Sequence, residues 1–144
     1  MTDLLKVKSY VCPVPGRKAE VDAIKQMVMT AGGSPICANE QDLSNAHACI
    51  DQCDVMFILI CTETLAPAYQ DLIAYASRVG KRVIGIWPEG AAVEDVPGML
   101  GQEGDGAIPM TAEKIKDVIM EGEGVWELPG GVTRPLQKTP RHKG

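Results

Sequence analysis

The stretch "DVMFILIC", residues 54 to 61, follows its leading aspartate with seven apolar residues and shows no alternation. An apolar run of strand length is buried on both faces, and such strands lie in the middle of parallel sheets covered by helices. Parallel neighbours need crossovers of a dozen or more residues, so the rest of the chain has to alternate strands with helices. It does. "KVKSYVC" (6 to 12) reads as a first strand, stopped by the two prolines and glycine of "PVPG". From Arg17 to Ala31 the residues Val21, Ile24, Met27, Val28 and Ala31 recur at helical spacing, with Glu20 and Asp22 near the positive end and "GG" as the stop.

"SPICA" (34 to 38) reads as a short second strand, and Ser44 opens a helix expected to turn Ala48, Cys49 and Ile50 toward the core. A helix from about Ala66 to Val79 ends at Gly80. "KRVIGIW" (81 to 87) and "GAIPM" (106 to 110) give strands four and five, and "TAEKIKDVIMEG" (111 to 122) is an amphipathic helix with Thr111 as N-cap. These elements predict an α/β fold: a single-domain, flavodoxin-like parallel sheet of order 2-1-3-4-5 with helices on both faces. Ligands of such sheets bind beyond the carboxyl ends of the strands, at the switch point between strands one and three. That rule selects residues 12 to 17, 61 to 64, 87 to 90 and 110 to 111.

A length of 144 residues suits one domain, expected over 1 to 122, followed by a tail over 123 to 144. Apolar residues at 45% and charged residues at 23% are ordinary for a folded globular chain. The net charge of -5 gives no reason to expect general affinity for nucleic acid or anionic membrane. The basic tail "RPLQKTPRHKG" is the exception: it reads as a solvated terminus or as a weak contact for RNA, DNA or an acidic partner. Trp126 in "VWELPGG" is an apolar anchor for the domain or a neighbouring subunit, and the stretch from Pro88 to Gly106 reads as a mobile loop at the edge of the site. Five cysteines, three of them in or beside strand-like runs (Cys12, Cys37, Cys61), suggest reduced thiols in a cytoplasmic protein. The N-terminus lacks the pattern of a signal peptide, and no apolar run approaches the ~18 residues of a membrane span.

Four stretches could carry chemistry. In "CPVPGRKAE", Pro15 and Gly16 lead from a strand into a helix, so backbone N–H groups and the guanidinium of Arg17 could receive a phosphate or carboxylate; alternatively the prolines and glycine only make the turn. The segment has neither the P-loop pattern nor G-x-G-x-x-G, and no cofactor is expected. In "CTETLAPAYQD", Thr62 and Glu63 stand at the carboxyl end of the central strand, where a carboxylate can bind sugar hydroxyls or take a proton; Tyr69 and Asp71 follow in the next helix, Asp71 also suiting the helix dipole alone. In "IWPEG", Trp87 and Glu89 could offer an aromatic face and a carboxylate to a nucleobase, or Trp87 could belong to the core. In "HACIDQC", His47, Cys49, Asp51 and Cys53 are crowded, but no second ligand pair completes a metal site, so core thiols without redox chemistry are expected.

"KSYVCPVP", "AGGSPICA", "IDQCDVMFILI" and "LIAYASRVGKRVIGIW", spread over residues 8 to 87, together resemble the nucleoside deoxyribosyltransferase-like group and, more distantly, Toll/interleukin-receptor-like domains. "IAYASRVGKRVIGI" is the most specific piece. The resemblance implies cleavage or exchange of N-glycosidic bonds of nucleosides or nucleotides, by a carboxylate nucleophile, a second acid on the sugar and an aromatic residue at the base. It also implies a homo-oligomer. Carried over by position, the nucleophile falls on Leu72 and the sugar-binding acid on Ala66; the glutamate of the Toll/interleukin-receptor-like domains falls on Leu72 or Ile73. The expectation is a nucleoside- or nucleotide-binding domain that has lost the chemistry. The alternatives are an active N-glycosidase or deoxyribosyltransferase, acting on nucleoside, nucleotide or NAD through a displaced Glu63, Asp71 or Glu89, and an oligomer- or filament-forming interaction module.

Overall fold

The structure, a computed structural model, describes residues 7–39, 43–88, 100 and 103–121. Five strands form one sheet: β1 (Lys8–Val11), β2 (Ser34–Pro35), β3 (Val55–Leu59), β4 (Arg82–Trp87) and β5 (Gly106–Pro109). Their order is β2-β1-β3-β4-β5 and every pairing is parallel, as the sequence predicts. The apolar run at 55–59 is the central strand, and all five of its residues are buried. Its register sets Ser9 against Val55 on one side and Arg82 on the other.

The helices are α1 (Lys18–Thr30), α2 (Ala46–Gln52), α3 (Pro67–Arg78) and α4 (Ala112–Glu121), with a short 3-10 helix over Glu63–Leu65. The right-handed rule for parallel crossovers puts α1 on one face of the sheet and α2 and α3 on the other, while α4 follows the last strand and is placed by its packing alone. The observed packing sets α2 beside α3, in agreement with the rule, and α4 beside α1. Val21, Ile24 and Val28 of α1 and Ile115, Val118 and Ile119 of α4 bury one apolar stripe each against the sheet. Thr111 caps α4 as expected, its hydroxyl accepting from Lys114 N–H at 3.2 Å. No helix among the described residues is long and apolar enough to cross a membrane.

Packing is tight where helix meets sheet. A methyl group placed on Gly85 of β4 would come within 2.5 Å of Leu100 Cδ2 and 2.9 Å of Ile60 Cδ1, which is why this strand carries a residue without a side chain. Two expectations fail in α2. Ala46, Cys49 and Ile50 face the core, whereas Ala48 is exposed, because positions 46, 49 and 50 share one stripe of the helix and position 48 lies off it. Cys49 is also not a free thiol. It forms a disulfide with Cys37, the residue two positions after β2, across a Cα–Cα distance of 6.3 Å. The packing of α2 beside the loop after β2 brings the two together, and the compartment argument drawn from reduced thiols goes with it. Cys12, Cys53 and Cys61 are free, the first two buried.

Candidate functional site

Two turns meet at the switch point between β1 and β3. The first follows β1, where Arg17 N–H donates to Val14 C=O at 2.9 Å and Gly16 holds a φ of 88°. Proline then glycine at the two central positions, with a positive φ at the second, is the arrangement of a type II turn. Only a glycine takes that φ without strain. The second turn follows β3 and is pinned by Thr64. The hydroxyl of Thr64 lies 2.8 Å from Leu59 C=O and 2.9 Å from Cys61 C=O, and accepts from Cys61 N–H at 3.2 Å. Gln70 from α3 closes it by donating to Thr64 C=O at 2.8 Å.

Glu63 sits on this second turn and faces the first. Its carboxylate takes Arg17 Nε–H at 3.2 Å, and a side chain at Gly16 would start 3.8 Å from its other oxygen. Glu20 also accepts from Arg17, at 3.4 Å. The Glu63 carboxyl is held below its ordinary value of 4.5 by its own backbone N–H, the Cys61 thiol and Arg17. It is therefore ionised at neutral pH, suited to accept from hydroxyls or to face a developing positive charge, and unsuited to act as a general acid. Burial pushes the Cys61 thiol up, so Cys61 is a donor here and not a nucleophile.

The other candidate residues fall in three groups. Pro15 and Gly16 are exposed on the rim with Thr62, whose side chain makes no capping bond. Tyr69 and Trp87 are buried, at 6% and 3% exposure. The Tyr69 hydroxyl donates to Pro13 C=O at 3.0 Å, tying α3 to the turn after β1, and burial pushes it up to about 12. Trp87, paired in register with Pro109 of β5, belongs to the core. Asp71 is exposed on α3 and shares no hydrogen bond or ion pair with the Glu63 turn. Glu89, Trp126, the basic tail and most of the stretch from Pro88 to Gly106 lie outside the described residues.

"HACIDQC" resolves into separate contacts. His47 meets the Tyr75 ring edge-on at 4.4 Å, Asp51 accepts from Tyr75 OH at 2.6 Å, and the Cys53 thiol donates to Ile50 C=O. Among the described residues no group of three or more His, Cys, Asp or Glu is placed to hold a metal ion.

A cavity of about 440 Å³ opens on the opposite flank of the Pro15–Gly16 turn. The turn forms one wall, Lys18, Asp22 and Lys25 of α1 a second, and Ala38 with Asn39 after β2 a third. Pro15 and Gly16 are candidates from sequence and Asp22 is expected there only at the positive end of the helix, whereas Lys18, Lys25, Ala38 and Asn39 join them only in the fold, positions 18, 22 and 25 sharing one face of α1. Lys25 donates to Ala38 C=O at 2.8 Å and bridges the two walls.

Against known proteins, no family model matches the sequence, and no curated protein matches it either. The structure is similar to that of the CMP N-glycosidase BcmB of Clostridium botulinum, with a TM-score of 0.52 and 13% identity, over 76% of this chain and 96% of that one. At that identity the likeness establishes a shared α/β fold.

Proposed function

We propose that this chain is a nucleoside- or nucleotide-binding domain on an N-glycosidase-type fold, which holds its ligand without cleaving it. The observation that carries the reading is Leu72. It stands where the resembled enzymes place their nucleophile, and it is a core residue, 4% exposed, on the buried side of α3. Ala66, at the place of the sugar-binding acid, offers only a methyl group. Loss of an essential catalytic group lowers the rate by several powers of ten.

What remains suits binding. Glu63 offers an ionised acceptor to sugar hydroxyls, Gly16 lets a ligand approach the backbone, and Thr62 adds a hydroxyl at the rim. A cavity of about 440 Å³ is within the usual range for small-molecule sites. Trp87 supports this end of the sheet from within, and Tyr69 fixes the loop that the ligand meets. A solved N-glycosidase acting on CMP shares the fold.

The test is incubation with nucleosides, nucleoside monophosphates and NAD, with chromatography for free base and a thermal-shift series on the same compounds. A shift without base release is expected; ligand at 100 times Kd adds about 2.7 kcal/mol. No shift at millimolar ligand rejects the binding reading. Base release that disappears in Glu63→Gln would instead establish an active enzyme with a displaced acid, the second reading, favoured by the ionised state of Glu63.

A further inference from the structure

We infer that the cavity beside α1 is an anion site, which takes the phosphate group of a small molecule between Lys18 and Lys25. The charges around the start of α1 are divided by the Pro15–Gly16 turn. On the β3 side Arg17 is shared by two carboxylates, Glu20 and Glu63, so the guanidinium is already neutralised and a phosphate there would face a surplus of negative charge. On the cavity side the balance reverses. Among the described residues, Lys18 and Lys25 share one carboxylate, that of Asp22, at 2.6 Å and 3.8 Å.

The two lysines differ in a useful way. Lys25 is 15% exposed, its stem packed and its ammonium fixed by Ala38 C=O and Asp22, so it is held in place with a donor to spare. Lys18 is 73% exposed and can swing onto a ligand while its reach to Asp22 is kept or given up. The turn adds an open wall, since Gly16 presents no side chain, and Asn39 adds an exposed amide across the cavity. Fixed charge, adjustable charge and a cleft of small-molecule size together suit a phosphate monoester better than a neutral nucleoside.

The identification of the anion as part of a nucleotide rests on the proposed function, whereas the anion site rests on the cavity and its charges alone. A nucleotide would then lie across the turn, phosphate toward Lys25 and sugar toward Glu63. This ordering assigns the phosphate to lysines and leaves Arg17 as the partner that holds Glu63 in place.

The experiment is calorimetric titration of the full chain with CMP, cytidine and inorganic phosphate, at low and at raised salt, for the wild type, Lys25→Met and Lys18→Met. Methionine keeps the apolar stem and removes the charge, and circular dichroism reports whether each variant folds. CMP is expected to bind at least tenfold tighter than cytidine, in a salt-dependent manner, and inorganic phosphate to compete with it. Each lysine variant should weaken CMP toward the cytidine level while leaving cytidine unchanged. Equal affinity for CMP and cytidine, or CMP affinity untouched in both variants, would overturn the site. Should Lys25→Met misfold, exposed Lys18 still decides. Lysine-dependent binding of inorganic phosphate with no binding of CMP or cytidine would retain the anion site and reject the nucleotide reading. No binding by any of the three would reject both.

Discussion

Removing the bond between Cys37 and Cys49 tests how the loop after β2 is held. The bond spans a sequence separation of 12, and in the chain-entropy account a loop near this length stabilises the folded state by about 3 kcal/mol. Part of that is offset locally. Cys37 has a φ of 52°, a conformation costing a residue with a side chain about 1 kcal/mol, and an unbonded loop is free to leave it. The net loss is then about 2 kcal/mol, or about 6 °C in Tm for a domain of this size. The cleaner variant is Cys37→Ala, since Cys37 is half-buried while Cys49 is fully buried and remains core-compatible as a thiol. Thermal melts of wild type and variant, with and without dithiothreitol, give the comparison, and titration of thiols in denaturant counts the bond. Three free thiols are expected in the untreated wild type. Five thiols there, or a variant whose Tm moves by less than about 2 °C, would refute the reasoning.

Three further outcomes follow from particular contacts. Tyr69→Phe leaves Pro13 C=O without its buried donor and should cost about 1–3 kcal/mol in a urea melt, with the core otherwise unchanged. Gly85→Ala has to displace Leu100 and Ile60, at an expected cost of about 1–3 kcal/mol; an unchanged midpoint would mean that β4 and its neighbours are looser than they look. The lowered value of Glu63 means that its stabilising contacts are fully present above its ordinary value of 4.5 and are lost as pH falls through the folded value. The Tm difference between wild type and Glu63→Gln should therefore be constant near neutral pH and shrink only in the acid range below about 4.5, and a difference that grows on acidification would contradict the sign.

Much of the frame was legible because it is encoded locally. The apolar run at 55–59 identifies the central strand, proline and glycine at 15 and 16 identify the turn, and the alternation of elements leaves few sheet orders open. The site was less legible because its contacts join distant segments. Arg17 reads in sequence as an open fork for an anion, and only the turn after β3, folded by Thr64, supplies the carboxylate that occupies it. Trp87 follows an apolar strand and precedes "PEG", so sequence alone left rim and core equal; pairing of β4 with β5 buries it. The disulfide had no signature, since its partners approach only after α2 packs beside the loop. The cavity lysines carry no local signature for a similar reason, as helical spacing gives them a shared face but not the opposing wall at Ala38 and Asn39.

The all-parallel sheet also governs how the chain reaches this state. There is no hairpin among the described strands, so none of their pairings can form from adjacent segments. Ser9 has to find Val55 across an intervening helix, strand and second helix before the central pairing exists. The entropy of closing such long loops is spent before contacts repay it, and domains of this kind fold more slowly than helical bundles of equal length. During that interval the apolar run at 55–59 is exposed, so the same segment that organises the native sheet is where association with other unfolded chains would begin.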